Sequence, residues 1–212
     1  MTEPDVALTD YALTLECAVL ALWVFRAQWT DEPLQRSWGA LFVAIGVSAV
    51  AGGTVHGFFL APGTVHDVLW TLTLLALGVV SLLMWWIGAR LGLAPVVGQW
   101  VRLAALAQLV VYAAVVLFIS SEFEVAIVAY APATLFLLAT MILAYRRVPD
   151  RRLAWGITGL LLTFVAAGVQ QSGFALHPVY FNHNAFYHLI QGVALYLLYL
   201  GAVATAGQPA AS

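Results

Sequence analysis

The sequence contains no lysine, and its eight basic residues other than histidine are all arginine. A retinal-binding protein needs a lysine for its Schiff base, so the absence of lysine excludes a rhodopsin-type pigment. Cysteine occurs once, as Cys17, which excludes an intramolecular disulfide and a thiolate metal cluster. Charged residues make up only 8% of the chain, and no basic patch or nucleotide-binding glycine motif is present. We therefore expect no nucleic-acid partner.

Hydrophobic residues are abundant and account for 63% of the 212 residues. A helix that crosses a membrane needs about 20 mostly apolar residues, and the sequence contains seven such runs. The composition therefore predicts an all-α integral membrane protein, a seven-transmembrane helix bundle that forms one domain over residues 1–212. The predicted helices span residues 8–28, 38–61, 65–90, 95–120, 123–145, 151–174 and 183–205. Because the first ten residues are acidic and lack the positive region of a signal peptide, we expect the first run to be retained.

The arginines indicate the orientation of the bundle. All of them lie in or beside the loops that follow predicted helices 1, 3 and 5. Cytoplasmic loops of membrane proteins are enriched in arginine, so we predict an outside N-terminus and a cytoplasmic C-terminus. The short loops and the arginine bias favour a bacterial inner membrane. The arginines are Arg26, Arg36, Arg90, Arg102, Arg146, Arg147, Arg151 and Arg152.

The histidines have the opposite distribution, because all five lie at predicted outer helix ends. His56 ends helix 2, and His183 and His188 belong to the polar start of helix 7, FNHNAFYHLIQ. Polar ligand-type residues in a membrane helix are costly unless they are paired or bound. Three neutral imidazoles with an open position are typical of a catalytic zinc site. We predict a zinc ion held by His56, His183 and His188. The alternative for His56 and His188 is a helix cap or an interhelical hydrogen bond, and for His183 it is an interfacial position at the level of the lipid head groups.

Three further residues are candidates for the same site. Asp67, at the start of helix 3, would orient a zinc-bound water. Asn184 lies four residues before His188 and shares its helix face, so it is a possible ligand or hydrogen-bond partner. Glu16 lies about 12 Å along predicted helix 1, at 1.5 Å per residue. An ionisable group at that depth usually faces the bundle interior, so Glu16 either lines a cavity or is protonated and hydrogen-bonded.

This pattern resembles the CREST superfamily of seven-helix membrane hydrolases, which includes the alkaline ceramidases and the progestin and adipoQ receptors. The matching features are seven spans, His56 late in helix 2, Asp67 opening helix 3, and the sequence NHNAFYH at the start of helix 7. The spacing of eleven residues from His56 to Asp67 is similar to that of the alkaline ceramidases. The predicted outside N-terminus is similar to theirs as well.

The resemblance implies zinc-dependent hydrolysis of a lipid amide or ester bond in the outer half of the bundle, with Asp67 as the proton acceptor or the orienting carboxylate. The family has a serine one turn before the helix 2 histidine, where this chain has Gly52. Ser48, one turn further, lies on roughly the same face and is the candidate for the catalytic hydroxyl that would stabilise the oxyanion; Thr54 is also nearby. The family's H-x-x-x-H pattern in helix 7 aligns with Asn184 and His188, so either His183 or Asn184 would be the third ligand.

Two other functional classes fit the same residues. A metal-binding receptor or sensor would use the same bundle without turnover, and Gly52 in place of serine favours it. A haem-binding electron carrier would use histidines as axial ligands. The position of all histidines at one side of the membrane argues against a two-haem relay. In the first two classes the partner is a membrane lipid, as substrate or as ligand.

Overall fold

The computed structural model describes residues 1–177 and 180–207, and these residues form seven α-helices. All seven are long and apolar enough to cross a membrane. This confirms the prediction of an all-helical fold with seven helices of membrane-spanning length and hydropathy. The helices are α1 (Pro4–Arg26), α2 (Glu32–Phe58), α3 (Thr64–Gly92), α4 (Pro95–Phe118), α5 (Phe123–Arg147), α6 (Arg151–Ser172) and α7 (His183–Thr205).

Two helices begin earlier than the hydrophobic pattern predicted, α1 by four residues and α2 by six. Pro4 stands in the first turn of α1, where its fixed φ suits a helix and its missing N–H is not needed. Asp31 caps α2, since its side chain accepts a hydrogen bond from the backbone N–H of Leu34 at 3.0 Å. These first turns are polar, so hydropathy alone did not include them.

Six of the helices form a closed ring. Going round it, α1 packs on α2, α2 on α3, α3 on α5, α5 on α6, α6 on α7, and α7 on α1. Helix α4 lies outside the ring, against α3 and α5. We call the end where α1, α3, α5 and α7 begin the histidine end, and the other the arginine end. The interior of the ring is therefore the place where several helices can contribute to one site.

Large side chains fill the ring towards the arginine end. Trp38, Phe42, Ile87, Leu137 and Leu153 are all fully buried there and come from four different helices. In a membrane such packing stabilises helix association through close van der Waals contact. This half of the bundle is closely packed, and the cavity lies towards the histidine end.

The first five residues connect two helix ends at the histidine end. The backbone N–H groups of Thr2 and Glu3 donate to the carbonyls of Gly57 and His56, at 3.0 and 3.1 Å. The carboxylate of Asp5 accepts a hydrogen bond from the backbone N–H of Asn182, at 2.9 Å, immediately before α7. The N-terminal segment thus fixes the end of α2 and the start of α7, the helices that carry the predicted zinc ligands.

Candidate functional site

A cavity of about 370 Å³ lies inside the ring towards the histidine end. Its volume is within the range of roughly 300–1,000 Å³ that is usual for small-molecule sites. All six ring helices line it. Ile45, on its wall, lies thirteen residues before the end of α2, or about 20 Å deep at 1.5 Å per residue. The deeper part is apolar and is lined by Leu13, Ile45, Leu77, Val80 and Met84.

The structure brings five of the predicted site residues to this cavity: His56, Ser48, His183, Asn184 and His188. The hydroxyl of Ser48 donates to the backbone carbonyl of Thr73, at 3.2 Å. The side-chain oxygen of Asn184 accepts a hydrogen bond from Gln170, at 3.5 Å. The structure thus places the imidazoles of α2 and α7 on one cavity.

The other two predicted residues lie elsewhere. Asp67 is exposed on the first turn of α3 and is not among the residues that line the cavity, whereas Trp70 and Thr73 of the same helix are. Glu16 lies against α7, where a Cβ added to Gly192 would be 3.0 Å from its carboxylate oxygen. Because α1 begins at Pro4, Glu16 is about 18 Å along it, deeper than predicted.

His56 is paired with a carboxylate from the N-terminal segment. Its Nδ1 lies 2.5 Å from Oε2 of Glu3, and the two side chains are 20% and 32% exposed. When Nδ1–H donates to the carboxylate, Nε2 keeps its lone pair and is a hydrogen-bond acceptor. Glu3 therefore fixes the tautomer that makes His56 a base at the cavity wall.

His188 has a partner at each ring nitrogen. Its Nε2 lies 3.2 Å from Oδ1 of Asp10, and its Nδ1 lies 2.9 Å from the hydroxyl of Thr9. Thr9 also lies 2.9 Å from the carbonyls of Asp5 and Val6, to either of which it can donate. The distance between Nε2 and Oδ1 of Asp10 is that of an ion pair, in which the two groups can share one proton. Asp10 and His188 therefore form a buried acid–base pair, with side chains only 8% and 11% exposed.

Gly53 of α2 allows Asp10 to approach, because a Cβ added there would lie 2.6 Å from Cβ of Asp10. A Cβ added to Gly52 would lie 3.8 Å from Oδ2 of Asp10, which is an ordinary van der Waals contact. Gly52 is therefore beside the carboxylate, but only Gly53 is needed for its approach.

The predicted zinc site is not formed by these side chains. Within residues 1–177 and 180–207, no group of three or more histidine, cysteine, aspartate or glutamate side chains is arranged to hold a metal ion. Nδ1 of His188 and Nδ1 of His56 are already hydrogen-bonded, and Nε2 of His188 lies 3.2 Å from the Asp10 carboxylate. The donors as they stand do not fit the predicted tetrahedral ligand set. The zinc ion itself stays a prediction, which metal analysis can test.

Neither carboxylate of the site was predicted from the sequence. Glu3 precedes the apolar run of helix 1, and Asp10 lies near the start of that run. The signal for Asp10 was its position inside a predicted span, where an ionisable residue is usually functional. Glu3 gave no such signal, because its contact with His56 depends on how the N-terminal segment folds over α2.

A buried amide also faces the apolar half of the site. Gln191 lines the cavity, and its side-chain N–H lies 3.5 Å from the hydroxyl of Thr163. Its carbonyl oxygen Oε1 is buried without a hydrogen-bond partner among the described residues. Such groups are rare in folded proteins and are costly to bury. Gln191 therefore has an unused acceptor at the depth where a bound molecule would lie.

Comparison with known proteins gives one match. No curated protein and no solved structure matches the chain. One family model covers residues 6–206, which is nearly the whole chain and all seven helices. The chain therefore belongs to DUF6962, a family of unknown function.

Proposed function

We propose that this protein is an intramembrane hydrolase that cleaves a lipid amide or ester bond inside the ring. One observation carries the proposal: two carboxylate–imidazole pairs, Glu3–His56 and Asp10–His188, lie at one cavity. The two imidazoles line the same cavity. Hydrolysis of an amphiphilic substrate needs a general base, a general acid and an apolar cavity beside them, and such pairs can supply the base and the acid.

His56 is the proposed general base. Its Nε2 would take a proton from the water that attacks the carbonyl carbon, as the new C–O bond forms. Glu3 would hold the ring in the correct tautomer and stabilise the imidazolium that results. No step needs a further base.

The Asp10–His188 pair is the proposed general acid. The proton between Oδ1 and Nε2 would pass to the leaving nitrogen or oxygen as the C–N or C–O bond breaks. The products are a carboxylic acid and an amine or alcohol. Transfer of the proton from His56 to the Asp10–His188 pair then restores both pairs, so protons and bonds balance over the cycle.

The remaining features suit a lipid substrate. The apolar depth of the cavity would accept an acyl chain, and the polar residues at the histidine end would lie near the head group. The arginine end would face the cytoplasm, by the positive-inside rule. The cavity would then open on the outer side, in a bacterial inner membrane.

Cysteine labelling tests this orientation. In a Cys17→Ser background, a cysteine placed at Ser121 should react with a membrane-impermeant maleimide in intact cells. A cysteine placed at Val148 should react only after the cells are permeabilised. The reverse pattern would show that the cavity opens on the cytoplasmic side.

The central experiment measures fatty acid release from labelled lipid amides and esters by the full chain in vesicles. His56→Ala and His188→Ala should each lower the rate by about 10²–10⁴-fold, the usual contribution of general acid–base catalysis. His66→Ala is the control, since His66 lies at the same end, bonds the carbonyl of Phe59 at 2.8 Å and does not line the cavity. Equal loss in all three variants, or no release by the wild type, would refute the proposal.

A ligand-binding sensor without turnover is the second candidate. Both nitrogens of His188 are engaged and Gly52 provides no hydroxyl, which suits a fixed polar wall. Tight binding of a lipid without release of fatty acid would favour this function over hydrolysis.

A further inference from the structure

Two tyrosines at the cavity have unused hydroxyl groups. Tyr130 of α5 and Tyr187 of α7 both line the cavity, and within the described residues neither phenol oxygen has a hydrogen-bond partner. The buried Tyr112 differs in this respect, because its hydroxyl donates to the Leu74 carbonyl at 2.8 Å. Tyrosine hydroxyls usually find a partner when buried. Tyr130 and Tyr187 are therefore available to donate to a molecule in the cavity.

Their depth matches that of the acid–base pair. Tyr187 directly precedes His188 and lies about 6 Å from the start of α7, at 1.5 Å per residue. Tyr130 lies about 10 Å from the start of α5, and Asp10 about 9 Å from the start of α1. The two hydroxyls and the acidic pair thus serve the same part of the cavity.

Among the described residues that line the cavity, no other hydroxyl has a proton free to donate. Ser48, the candidate from the sequence, donates its proton to the Thr73 carbonyl. Thr73 and Thr163 donate theirs to carbonyls of their own helices, at 3.0 and 3.2 Å. The hydroxyl protons on α2, α3 and α6 that border the cavity are therefore already used, whereas those of the two tyrosines are not.

We propose that Tyr130 and Tyr187 bind the carbonyl oxygen of the substrate and stabilise the negative charge that develops on it. The inference rests on the proposed function and deepens it, because it assigns the oxyanion-stabilising donors. Tyrosine hydroxyls are established donors in such sites, and donors fixed in a water-poor cavity are especially effective. The same two donors would bind a carboxylate, the group released by hydrolysis.

Kinetics provide the first test. Tyr130→Phe and Tyr187→Phe each remove one hydroxyl and keep the ring, so they should lower kcat about 10²-fold, the usual loss of one oxyanion donor. KM should change far less, since the bond strengthens in the transition state. Tyr196→Phe is the matched control, because Tyr196 is on α7, is 48% exposed and does not line the cavity. Unchanged kcat in the double variant would overturn the inference.

Binding of hexanoate tests the donors without turnover. Hexanoate should raise the melting temperature of the purified wild type and of Tyr196→Phe. Its affinity for each of the other two variants should fall roughly tenfold, since a hydrogen bond to a charged group is lost. If no lipid is hydrolysed but hexanoate binding depends on Tyr130 and Tyr187, the proposed function fails and the carboxylate site stands. If hydrolysis occurs and hexanoate binding is equal in all variants, the hydrolase stands and this inference fails.

Discussion

Replacing Gly53 with alanine would place a methyl group 2.6 Å from Cβ of Asp10. Carbon atoms in contact prefer a separation of about 3.5–4.0 Å, so α1 or α2 would have to move by about 1 Å. Oδ1 of Asp10 and Nε2 of His188 lie 3.2 Å apart. A further 1 Å would take them beyond roughly 4 Å, the usual limit for an ion pair.

The expected magnitude follows from a comparison with a second glycine. Gly168→Ala on α6 is the matched control, because a Cβ there meets nothing within 4 Å. Both substitutions gain the same helix propensity, about 1 kcal/mol, so this gain cancels in the comparison. Overpacking usually costs about 1–3 kcal/mol. We expect Gly53→Ala to be less stable than Gly168→Ala by about 2 kcal/mol, or roughly 4–8 °C for a chain of this length.

Thermal unfolding of the purified variants, followed by tryptophan fluorescence, measures the difference in melting temperature. Hydrolysis or ligand binding should fall by about 10²-fold in Gly53→Ala, as expected when a catalytic group is displaced by about 1 Å. Gly168→Ala should behave as the wild type in both assays. Equal melting temperatures for the two variants would refute the close contact between Asp10 and Gly53, and with it the described position of the acidic pair.

Three further predictions concern the metal, the buried amide and the arginine end. Chelation should leave activity unchanged, because the imidazoles are hydrogen-bonded and do not converge on a metal site; loss on chelation that zinc restores would instead establish the zinc site predicted from the sequence. Gln191→Met should not lower the melting temperature, since it removes a buried acceptor that has no partner among the described residues, and a fall of more than about 4 °C would contradict this. The side-chain hydrogen bond from Arg152 lowers the pKa of Asp150. Its contribution is therefore present above the unfolded pKa, about 3.9, and lost as the pH falls below it. The small stability difference between wild type and Asp150→Asn should close below about pH 4, as melting curves at several pH values can show.

The fold could be predicted from the sequence because each span is a separate run of about 20 mostly apolar residues. Hydropathy placed seven runs, and proline, glycine and charged residues marked their ends. Hydropathy could not show the first turns of α1 and α2, which contain the charged residues Asp5 and Glu32. The first turn of α1 begins with Pro4, and that of α2 is capped by Asp31. Nor could hydropathy show that α4 lies outside the ring, since α4 is as apolar as its neighbours.

The site was predictable only in part. Histidines in membrane helices are rare enough to stand out, and His56, His183 and His188 do line one cavity. Their partners depend on rotation and tilt of the helices, which spacing along one helix does not determine. Asp67 was predicted as the carboxylate of the site because it lies only eleven residues after His56 in the sequence. In the structure Asp67 is exposed, and the carboxylate beside His56 comes from Glu3.

Both carboxylates of the proposed mechanism come from the first ten residues, Glu3 in the N-terminal segment and Asp10 on α1. The imidazoles that they contact come from α2 and α7, at the two neighbours of α1 in the ring. A displacement of α1 would therefore weaken the base and the acid together, whereas a displacement of α7 relative to α1 would separate only His188 from its partner. Variants at the α1–α2 contact should for this reason impair both proton transfers. Variants that loosen the contact between α6 and α7 should spare the Glu3–His56 pair and weaken only the acid.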